Sequence, residues 1–279
     1  MPELPEVEAV ARSLRPLVRD QRIRRAYVFH PIATRPQAPA DLIALSEERR
    51  LKTISRCGKY LFLELDRGLI ELHFRLDGQL TWFSSTKELF ERANRKPMGV
   101  HVDVAFEFGW GVLGFSDGRH FGRVHAWESA DACLPLANLG VDAMSRKFTS
   151  RRLRTMLAAS KRPVKEFLLD QTRVAGIGNI YSCEALWHAG LDPRRPANSF
   201  HERESAKLHK AIVSVLRRAL ECCLDPAPDF RDPKWWFQGL ERILRVYQRE
   251  AMPCRRCGCL IQRIEQGGRS TYCCLACQK

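Results

Sequence analysis

Four cysteines in the last part of the chain form two pairs, and their spacing constrains the local fold more than any other feature of the sequence. The pairs are Cys254-x-x-Cys257 and Cys274-x-x-Cys277, and sixteen residues separate them. Two such pairs suit four thiolates arranged as a tetrahedron around one Zn²⁺ ion. Because the protein then fills all four coordination positions, we expect the ion to be structural and not catalytic.

The segment between the two cysteine pairs has the pattern of a β-hairpin. The stretches Leu260–Ile264 and Ser270–Cys273 flank a turn with adjacent glycines at 267 and 268, which favour a tight hairpin turn. Arg269 follows this turn and is expected to face a partner outside the module. A module this small lacks a sufficient hydrophobic core, so the metal would supply its folding energy.

The other cysteines form no comparable pattern. Six of the eleven cysteines lie between residues 254 and 279, and the remaining five are scattered. Cys259 and Cys273 lie close to the two pairs, but the paired spacing favours the four paired positions as ligands. Since no secretory signal is evident in the first residues, we expect a cytoplasmic protein with reduced thiols and no disulfide framework.

The first eight residues place a proline and three carboxylates together. Removal of Met1 would leave Pro2 with a secondary α-amine, and α-amines titrate at about 8, so a useful fraction is neutral near pH 7. A neutral amine attacks an aldehyde-like carbon, and a secondary amine then yields a charged iminium that withdraws electrons. Glu3 and Glu6 are candidate proton donors and acceptors for this chemistry.

The same eight residues also suit an ordinary helix start. Proline at the first helical position and carboxylates in the first turn are both favoured there. Apolar residues follow at helical spacing through Val18, which predicts an amphipathic helix over residues 5–19. From these residues alone, both interpretations remain open.

An excess of basic residues indicates a polyanionic partner. The chain has 46 Lys and Arg against 32 Asp and Glu, which gives a net charge of +14. The basic residues recur from Arg12 to Lys279, which favours a folded basic face that binds nucleic acid over a disordered arm. An inert basic surface is the alternative. No apolar run approaches the roughly 20 residues of a membrane span, so no membrane partner is expected.

Short apolar or alternating runs before residue 134 predict a sheet domain. The alternation is clearest in Val100–Phe108, and Asp66-Arg-Gly68 and Asp77-Gly78 are turn signals between strands. We predict an antiparallel two-sheet β-sandwich or a flattened barrel, with the first helix packed along it. The further predicted strands are Arg24–His30, Lys59–Leu65, Leu69–Arg75, Gln79–Phe83, Gly111–Phe115 and Val124–Trp127.

After residue 134 the pattern becomes helical, which predicts an α+β chain of several domains. Residues 225–240 contain three prolines and the run Trp235-Trp236-Phe237, and we predict a loop there. The predicted domains cover residues 1–134, 135–245 and 246–279. The predicted helices are Arg151–Ala159, Pro163–Asp170, Ile180–Ala189 and Glu204–Cys223.

A glycine-rich corner, Gly176-Ile-Gly-Asn179, lies between two of the predicted helices. Its glycines permit positive φ and a close backbone approach, and Asn179 is a suitable N-cap. Free amides at such a helix start would suit a phosphate, but an ordinary helix–turn–helix corner explains the residues equally well. No strand is predicted directly before the corner and a third glycine is missing, so we do not expect a dinucleotide fingerprint.

Five stretches together resemble the formamidopyrimidine-DNA glycosylase / endonuclease VIII family of base-excision repair enzymes. They are Pro2–Glu8, Arg56–Tyr60, Asp117–Gly122, Leu169–Tyr181 and the cysteine hairpin, and they occur in the family's order. The resemblance implies an antiparallel β-sandwich domain with a leading helix, a helix–two-turn–helix domain and a zinc hairpin with one structural Zn²⁺. It also implies a monomer that binds double-stranded DNA with a damaged base or an abasic site.

The resemblance implies a bifunctional DNA glycosylase and AP lyase that removes oxidised purines. Pro2 would attack C1′ of the damaged nucleotide and displace the base. Glu3 would assist sugar-ring opening and later proton transfers, with Glu6 as a supporting carboxylate. Successive β- and δ-eliminations would then cut the strand on both sides. Lys59 and Arg269 complete the implied catalytic set.

The resemblance also assigns residues that would hold the DNA. Lys59, Asn179 and Arg269 match phosphate-gripping positions, which position DNA without reading its sequence, and Lys165 matches a lysine near the lesion. Base flipping leaves a gap in the base stack, and Leu76, Arg119 and Phe121 match residues that fill this gap. Without the resemblance, the cations would be expected on a solvated surface and the apolar residues in the core. The predicted DNA contacts are Leu76, Arg119, Phe121, Lys165, Asn179 and Arg269.

Two departures from the family pattern leave the preferred lesion open. Position 76 is commonly Met in the family and is Leu here, a stiffer wedge of similar volume. Residues 225–240 lack the Gly/Thr-rich loop that caps oxidised guanine in the formamidopyrimidine branch. Oxidised pyrimidines are therefore the alternative substrates. A non-catalytic zinc protein that binds DNA is the alternative of another class.

The basic composition predicts that DNA binding weakens steeply with salt. Each neutralised phosphate releases condensed counterions and contributes about −0.9 to the slope of log K against log salt. We expect fluorescence-anisotropy titrations between about 50 and about 200 mM salt to give a slope steeper than about −3. A slope near zero would contradict a basic DNA-binding face.

Overall fold

The computed structural model describes residues 2–93, 101–232 and 239–279, and these form an α+β protein. Within the described residues the chain divides into two compact units. The first unit is drawn from Pro2, Glu6–Ala137 and Cys223–Gln238, and the second from Glu3–Pro5, Asn138–Cys222 and Gly239–Lys279. The predicted strand start at residue 100 and the aromatic run 235–237 lie outside the described residues. The division into three domains stays a prediction.

Two antiparallel four-stranded sheets form the framework of the first unit, which confirms the predicted antiparallel architecture. In the first sheet the strand order is β1 (Arg25–Val28), β6 (Val104–Phe108), β7 (Gly111–Ser116) and β5 (Gln79–Phe83). In the second sheet the order is β2 (Leu51–Cys57), β3 (Tyr60–Leu65), β4 (Leu69–His73) and β8 (Arg123–Trp127).

A hydrophobic core joins both sheets to helix α1 (Leu4–Val18), whose bounds differ by one residue from the prediction. Val7, Val10 and Leu14 follow at helical spacing and are buried in this core. Each such side chain contributes about 1.5–3 kcal/mol when it leaves water. The helix is thereby held along the sheets from Glu6 onward.

Strand β2 and three short helices were not predicted from the sequence. Apolar residues of β2 stand at Leu51, Ile54 and Cys57, which does not alternate, and the register with β3 shifts between Leu51 and Thr53. Such a bulge places an extra residue in one strand and breaks the two-residue period. The helices are α2 (Pro39–Ser46), α3 (Thr86–Ala93) and α4 (Leu134–Asn138).

The second unit is mainly helical, and the predicted helices are confirmed within two residues at each end. It has its own hydrophobic core, to which Leu4, Phe167, Tyr181 and Leu216 contribute. Two short strands in connecting segments, β9 (Val141–Asp142) and β10 (Val174–Ala175), pair in parallel and were not predicted. The helices after the short α4 (Leu134–Asn138) are α5 (Ser150–Ala158), α6 (Val164–Leu169), α7 (Asn179–Ala189) and α8 (Glu202–Cys223).

The predicted hairpin near the end of the chain is confirmed. Strands β11 (Gln262–Gln266) and β12 (Arg269–Cys273) pair in antiparallel fashion, with Gln266 opposite Arg269. Gly267 and Gly268 both have positive φ, +57° and +69°, as a tight two-residue hairpin turn requires. Among the described helices, none is both long and apolar enough to cross a bilayer.

Candidate active site, nucleic-acid interface and metal centre

The carboxylate of Glu3 caps the start of helix α7. Glu3 is buried, and its oxygens accept hydrogen bonds from the amides of Gly178 at 2.7 Å, Ile180 at 2.9 Å and Tyr181 at 3.4 Å. Such amides have no partner within their own helix, and the positive end of the helix dipole stabilises a carboxylate. These amides lie where the sequence suggested a phosphate site, and they bind the Glu3 side chain instead.

Gly176 permits the amino-terminal segment to lie against this corner. The amide of Leu4 donates to the Gly176 carbonyl at 3.1 Å. Gly176 has φ +103°, and a Cβ atom there would lie 2.3 Å from Leu4 Cδ1. Gln171 fixes the corner, because its side chain accepts from the Gly176 amide at 2.9 Å and donates to the Ile177 carbonyl at 2.7 Å. A close backbone approach thus explains the glycine at position 176.

Asn179 and Lys165 both bind strand β12. The prediction that Asn179 is the N-cap is wrong, because Gly178 holds that position and Asn179 begins the helix. The Asn179 side chain donates to the Ser270 carbonyl at 2.9 Å. Lys165 is buried, its amine donates to Thr271 Oγ1 at 2.7 Å, and burial lowers its pKa. Lys165 is therefore not exposed where DNA contact was predicted.

Arg269 lies on an exposed surface of the second unit. It lines an open cleft together with Arg162, Gln171 and Asp170. Arg162 lies 3.3 Å from an oxygen of Asp170, so part of the positive charge of this cleft is neutralised by the protein. Arg269 is thus placed where an anion can approach from solvent, and its contact with a phosphate stays a prediction.

Two loops of the first unit carry the residues predicted to fill a gap in DNA. Residues 74–78, with Leu76, connect β4 to β5, and residues 117–122, with Arg119 and Phe121, connect β7 to β8. Since β4 pairs with β8 and β5 pairs with β7, the two loops run side by side. Leu76 is 36% exposed and Phe121 is 51% exposed. Neither is a core residue.

An ion pair and a buried carboxylate shape these two loops. The Arg119 guanidinium pairs with Asp77 in the neighbouring loop. Asp117 is buried and accepts hydrogen bonds from the amides of Arg119 at 3.0 Å, Phe121 at 3.0 Å and Gly122 at 2.6 Å. The loop conformation is thereby set by one side chain. The sequence contained Asp117 within a matching motif, and an aspartate that starts a turn commonly binds the following amides, but its role was not predicted.

Lys59 and His73 lie near the base of the loop that carries Leu76. The amide of Arg75 donates to His73 Nδ1 at 3.0 Å. Burial, together with the cations of Arg75 and Lys59, lowers the pKa of His73 to about 3. His73 is therefore neutral near pH 7. Lys59 directly precedes strand β3. Pro2 and Glu6, the remaining predicted catalytic residues of the first unit, are both buried.

The four paired cysteines converge, as predicted. Their Sγ atoms all lie within 4.8 Å of one another, with 3.9 Å between Cys254 and Cys277 and 3.5 Å between Cys257 and Cys274. Four ligands at the usual Zn–S distance of about 2.3 Å would be separated by about 3.8 Å in a tetrahedron. The indole N–H of Trp187 donates to Cys254 Sγ at 3.4 Å, a contact that suits a thiolate. The donor set and its spacing fit one tetrahedral metal ion.

The two neighbouring cysteines lie outside this cluster. Cys259 is exposed, and its carbonyl accepts from the Cys254 amide at 2.8 Å. Cys273 is buried in the hairpin, and burial raises its pKa to about 11. The spacing of the pairs was therefore the correct guide to the cluster.

Glu184 of helix α7 connects the helices to the cysteine module. Its buried carboxylate accepts hydrogen bonds from the amides of Arg245, Val246 and Tyr247 at 2.8–3.0 Å. Burial raises the pKa of Glu184. These amides precede the first cysteine pair, so Glu184 fixes the segment that leads into the module. No motif in the sequence indicated this residue.

An α+β protein with a basic composition, exposed apolar loop residues and a cluster of four cysteines that fits a metal ion has the features of a nucleic-acid-binding protein. Comparison with known proteins is more specific. The chain matches the formamidopyrimidine-DNA glycosylase N-terminal domain over residues 1–124 and the formamidopyrimidine-DNA glycosylase H2TH domain over residues 139–225.

Relatives match over the full length of the chain. The formamidopyrimidine-DNA glycosylase of Bacillus licheniformis is 36% identical over 283 residues, and that of Neisseria meningitidis is 34% identical over 280 residues, with 100% of both chains covered in each case. A solved structure of the Lactococcus lactis formamidopyrimidine-DNA glycosylase bound to DNA with an AP site is 30% identical, covers 99% of each chain and has a TM-score of 0.84. The chain therefore belongs to the formamidopyrimidine-DNA glycosylase family, and the resemblance noted in the sequence is confirmed.

Replacement of Gly176 by alanine is predicted to destabilise the protein. The added Cβ would overlap Leu4 in a backbone region that L residues rarely adopt, and we expect a loss of roughly 1–3 kcal/mol in the free energy of unfolding. Urea denaturation measures this. Gly118→Ala is the matched control, because a Cβ there meets no atom within 4 Å. Equal stability of the two variants would contradict the close packing at position 176.

Acidification is predicted to destabilise the first unit through His73. Its folded pKa of about 3 lies below the usual histidine pKa of 6.5, so between these pH values the unfolded chain binds more protons. Stability from the neutral imidazole is present above 6.5 and is lost as the pH falls towards 3. Asparagine at position 73 keeps a hydrogen-bond acceptor but cannot titrate. We expect His73→Asn to reduce the pH dependence of the unfolding free energy between about pH 7 and about pH 4.5. Identical slopes in denaturant titrations would show that His73 does not contribute.

Proposed function

We propose that this chain is a base-excision repair enzyme with DNA glycosylase and AP lyase activity, directed at oxidised purines of the formamidopyrimidine and 8-oxoguanine type. The main support is its full-length relation to formamidopyrimidine-DNA glycosylases. A structure of the Lactococcus lactis relative holds DNA with an N7-benzyl-Fapy-dG lesion, with a TM-score of 0.86 and 30% identity. The proposed partner is double-stranded DNA with a damaged base or an abasic site.

The proposed nucleophile is the amine of Pro2, set free by removal of Met1. Its lone pair attacks C1′ of the damaged nucleotide, the bond between C1′ and the base breaks, and the base leaves with the proton that the amine loses. The C1′–O4′ bond then opens to give an iminium, and O4′ receives a proton. Glu3 directly follows Pro2 in the chain, and its carboxylate is held by three amides. We propose that Glu3 assists ring opening by donating this proton to O4′, with Glu6 as a supporting carboxylate.

Strand cleavage follows from the iminium. Because the charged nitrogen withdraws electrons, a proton at C2′ becomes acidic, and its removal expels the 3′ phosphate in a β-elimination. A second elimination expels the 5′ phosphate. The products would be a one-nucleotide gap with phosphate on both sides and, after hydrolysis of the iminium, free enzyme.

The loops of the first unit support a role in holding opened DNA. Exposed Leu76 and Phe121, with Arg119 between the two loops, suit the space that a flipped nucleotide leaves in the stack. Lys59 and Arg269 are proposed phosphate contacts. For Asn179 and Lys165, contact with DNA would require exchange of their bonds to β12.

We infer that Zn²⁺ occupies the four-cysteine cluster and that the chain has three domains, over residues 1–134, 135–245 and 246–279. Four thiolates favour zinc among common divalent ions, and a closed set of four protein ligands indicates a structural role. When bound, the ion would hold together the two cysteine pairs on either side of the hairpin. Cys254, Cys257, Cys274 and Cys277 would thus keep Arg269 at a fixed position.

Reductive trapping tests the proposed chemistry. Processed protein is incubated with an abasic-site duplex and borohydride, after intact-mass measurement has shown that Met1 is absent. We expect a covalent adduct with the wild type and a loss of about 10²-fold or more in Pro2→Gly and Glu3→Gln. Glu8→Gln changes a carboxylate of helix α1 that pairs with Arg12 and Arg56, and this variant should trap normally.

The same experiment separates the alternatives. Undiminished trapping by Pro2→Gly would refute the proposed nucleophile, and the absence of trapping with every duplex would favour a binding protein without catalysis. A lesion panel with 8-oxoguanine, formamidopyrimidine and oxidised pyrimidines then determines the preferred base, since the Lactococcus lactis relative has also been solved with an oxidised pyrimidine in DNA.

Loss of the metal is predicted to unfold the cysteine module. We expect one tightly held zinc per chain by elemental analysis, and loss of DNA binding after chelation, because the ion supplies the folding energy of the hairpin. Cys257→Ser should lose the zinc, whereas Cys259→Ser, outside the cluster, should retain it. Retention of zinc and DNA affinity by Cys257→Ser would contradict the assigned ligands.

A further inference from the structure

Three histidines of the first unit surround one buried carboxylate. The rings of His30 and His101 stack with centroids 4.5 Å apart, and the ring of His120 lies 5.3 Å from His30 and 4.9 Å from His101. Asp103 is fully buried, and one of its oxygens lies 3.0 Å from His101 Nε2 and 3.0 Å from His120 Nδ1. His30 follows β1, His101 and Asp103 precede β6, and His120 lies in the loop 117–122.

The geometry of part of this cluster suits a metal ion. His30, His101 and Asp103 each offer a ligand atom, and these atoms all lie within 4.8 Å of one another. Two ligands about 2.1 Å from one ion and at right angles to each other are about 3.0 Å apart. The distance from His101 Nε2 to Asp103 Oδ1 has this value, so an ion can replace the proton that the two groups share.

The carboxylate is already oriented by neighbouring groups. Asp103 Oδ2 accepts the amide of Asp117 at 2.6 Å, which directs Oδ1 towards the histidines. His120 reaches the same Oδ1 atom. Bonds of this kind, from groups that do not touch the metal, commonly fix the ligands of a metal site.

We propose that His30, His101 and Asp103 form a second metal site, which binds a divalent transition-metal ion and is separate from the cysteine cluster. Two imidazoles and one carboxylate favour Ni²⁺, Cu²⁺ or Zn²⁺ over Mg²⁺ or Ca²⁺. Three protein ligands leave further coordination positions to water. His120 orients Asp103 and does not need to bind the ion.

A bound ion would stiffen the loop that carries Arg119 and Phe121. Asp103 holds this loop at two points, the amide of Asp117 and the ring of His120. His120 has φ +56°, a region that few residues other than glycine adopt, so its backbone depends on its surroundings. An ion on Asp103 would connect this loop to His30 at the end of β1.

Calorimetric titration with Ni²⁺ tests the site. The protein carries no affinity tag, and its cysteine cluster is loaded with zinc beforehand. We expect the wild type to bind one equivalent of Ni²⁺, and His30→Asn and His101→Asn to bind it at least tenfold more weakly. His201→Asn, which changes an exposed histidine in the second unit, should bind as the wild type does. Circular dichroism verifies that each variant is folded.

The proposal would be overturned by no uptake of Ni²⁺ by the wild type, by equal affinity in the histidine variants, or by equal uptake of Mg²⁺. Absorption bands from thiolate to nickel would place the ion in the cysteine cluster and would likewise refute it. The site is supported if the zinc content stays unchanged, the wild type binds one equivalent of Ni²⁺ and the histidine variants bind Ni²⁺ more weakly.

Discussion

The bond between the Glu3 carboxylate and the first amides of helix α7 is the interaction on which the proposed chemistry depends. A buried carboxylate without hydrogen bonds is strongly unfavourable, and three amides supply those bonds here. The same bonds satisfy helix-start amides that would otherwise be buried without partners. Gly176 makes the arrangement possible, since any side chain at that position would collide with Leu4. The residue that follows the proposed nucleophile is therefore fixed by backbone groups some 175 positions further along the chain.

A buried carboxylate that accepts several backbone amides is found at two other places in the molecule. Asp117 accepts hydrogen bonds from three amides of the loop that carries Arg119 and Phe121. Glu184 accepts hydrogen bonds from the amides of residues 245–247, which precede the cysteine module. In each case one buried carboxylate orders a stretch of irregular backbone that cannot satisfy itself through helix or sheet pairing. Functional side chains on loops need such support, because a loop without it samples many conformations.

Local patterns in the sequence predicted much of the fold. The cysteine spacing identified the cluster of four thiols, helical periodicity identified the main helices of the second unit, and short apolar or alternating runs identified most strands. Strand β2 was missed because its bulge breaks the two-residue period. The roles of Glu3, Asp117 and Glu184 as amide acceptors could not be predicted, since their partners depend on tertiary packing. The exposure of Leu76 and Phe121 followed only from the family resemblance, because apolar residues are ordinarily expected in the core. Asn179 was misplaced by one residue, as Glu3 supplies the cap that a local side chain usually provides.

Amide hydrogen exchange at Gly178 and Ile180 tests the central interaction most directly. Wild-type protein and Glu3→Ala are compared by NMR, with Glu8→Ala in the following helix α1 as the control. Both amides should exchange slowly in the wild type and in the control, and at least tenfold faster in Glu3→Ala, because the acceptor is gone. Equal protection in all three proteins would show that these amides do not depend on the carboxylate, and the account of how the amino-terminal segment is held would be wrong.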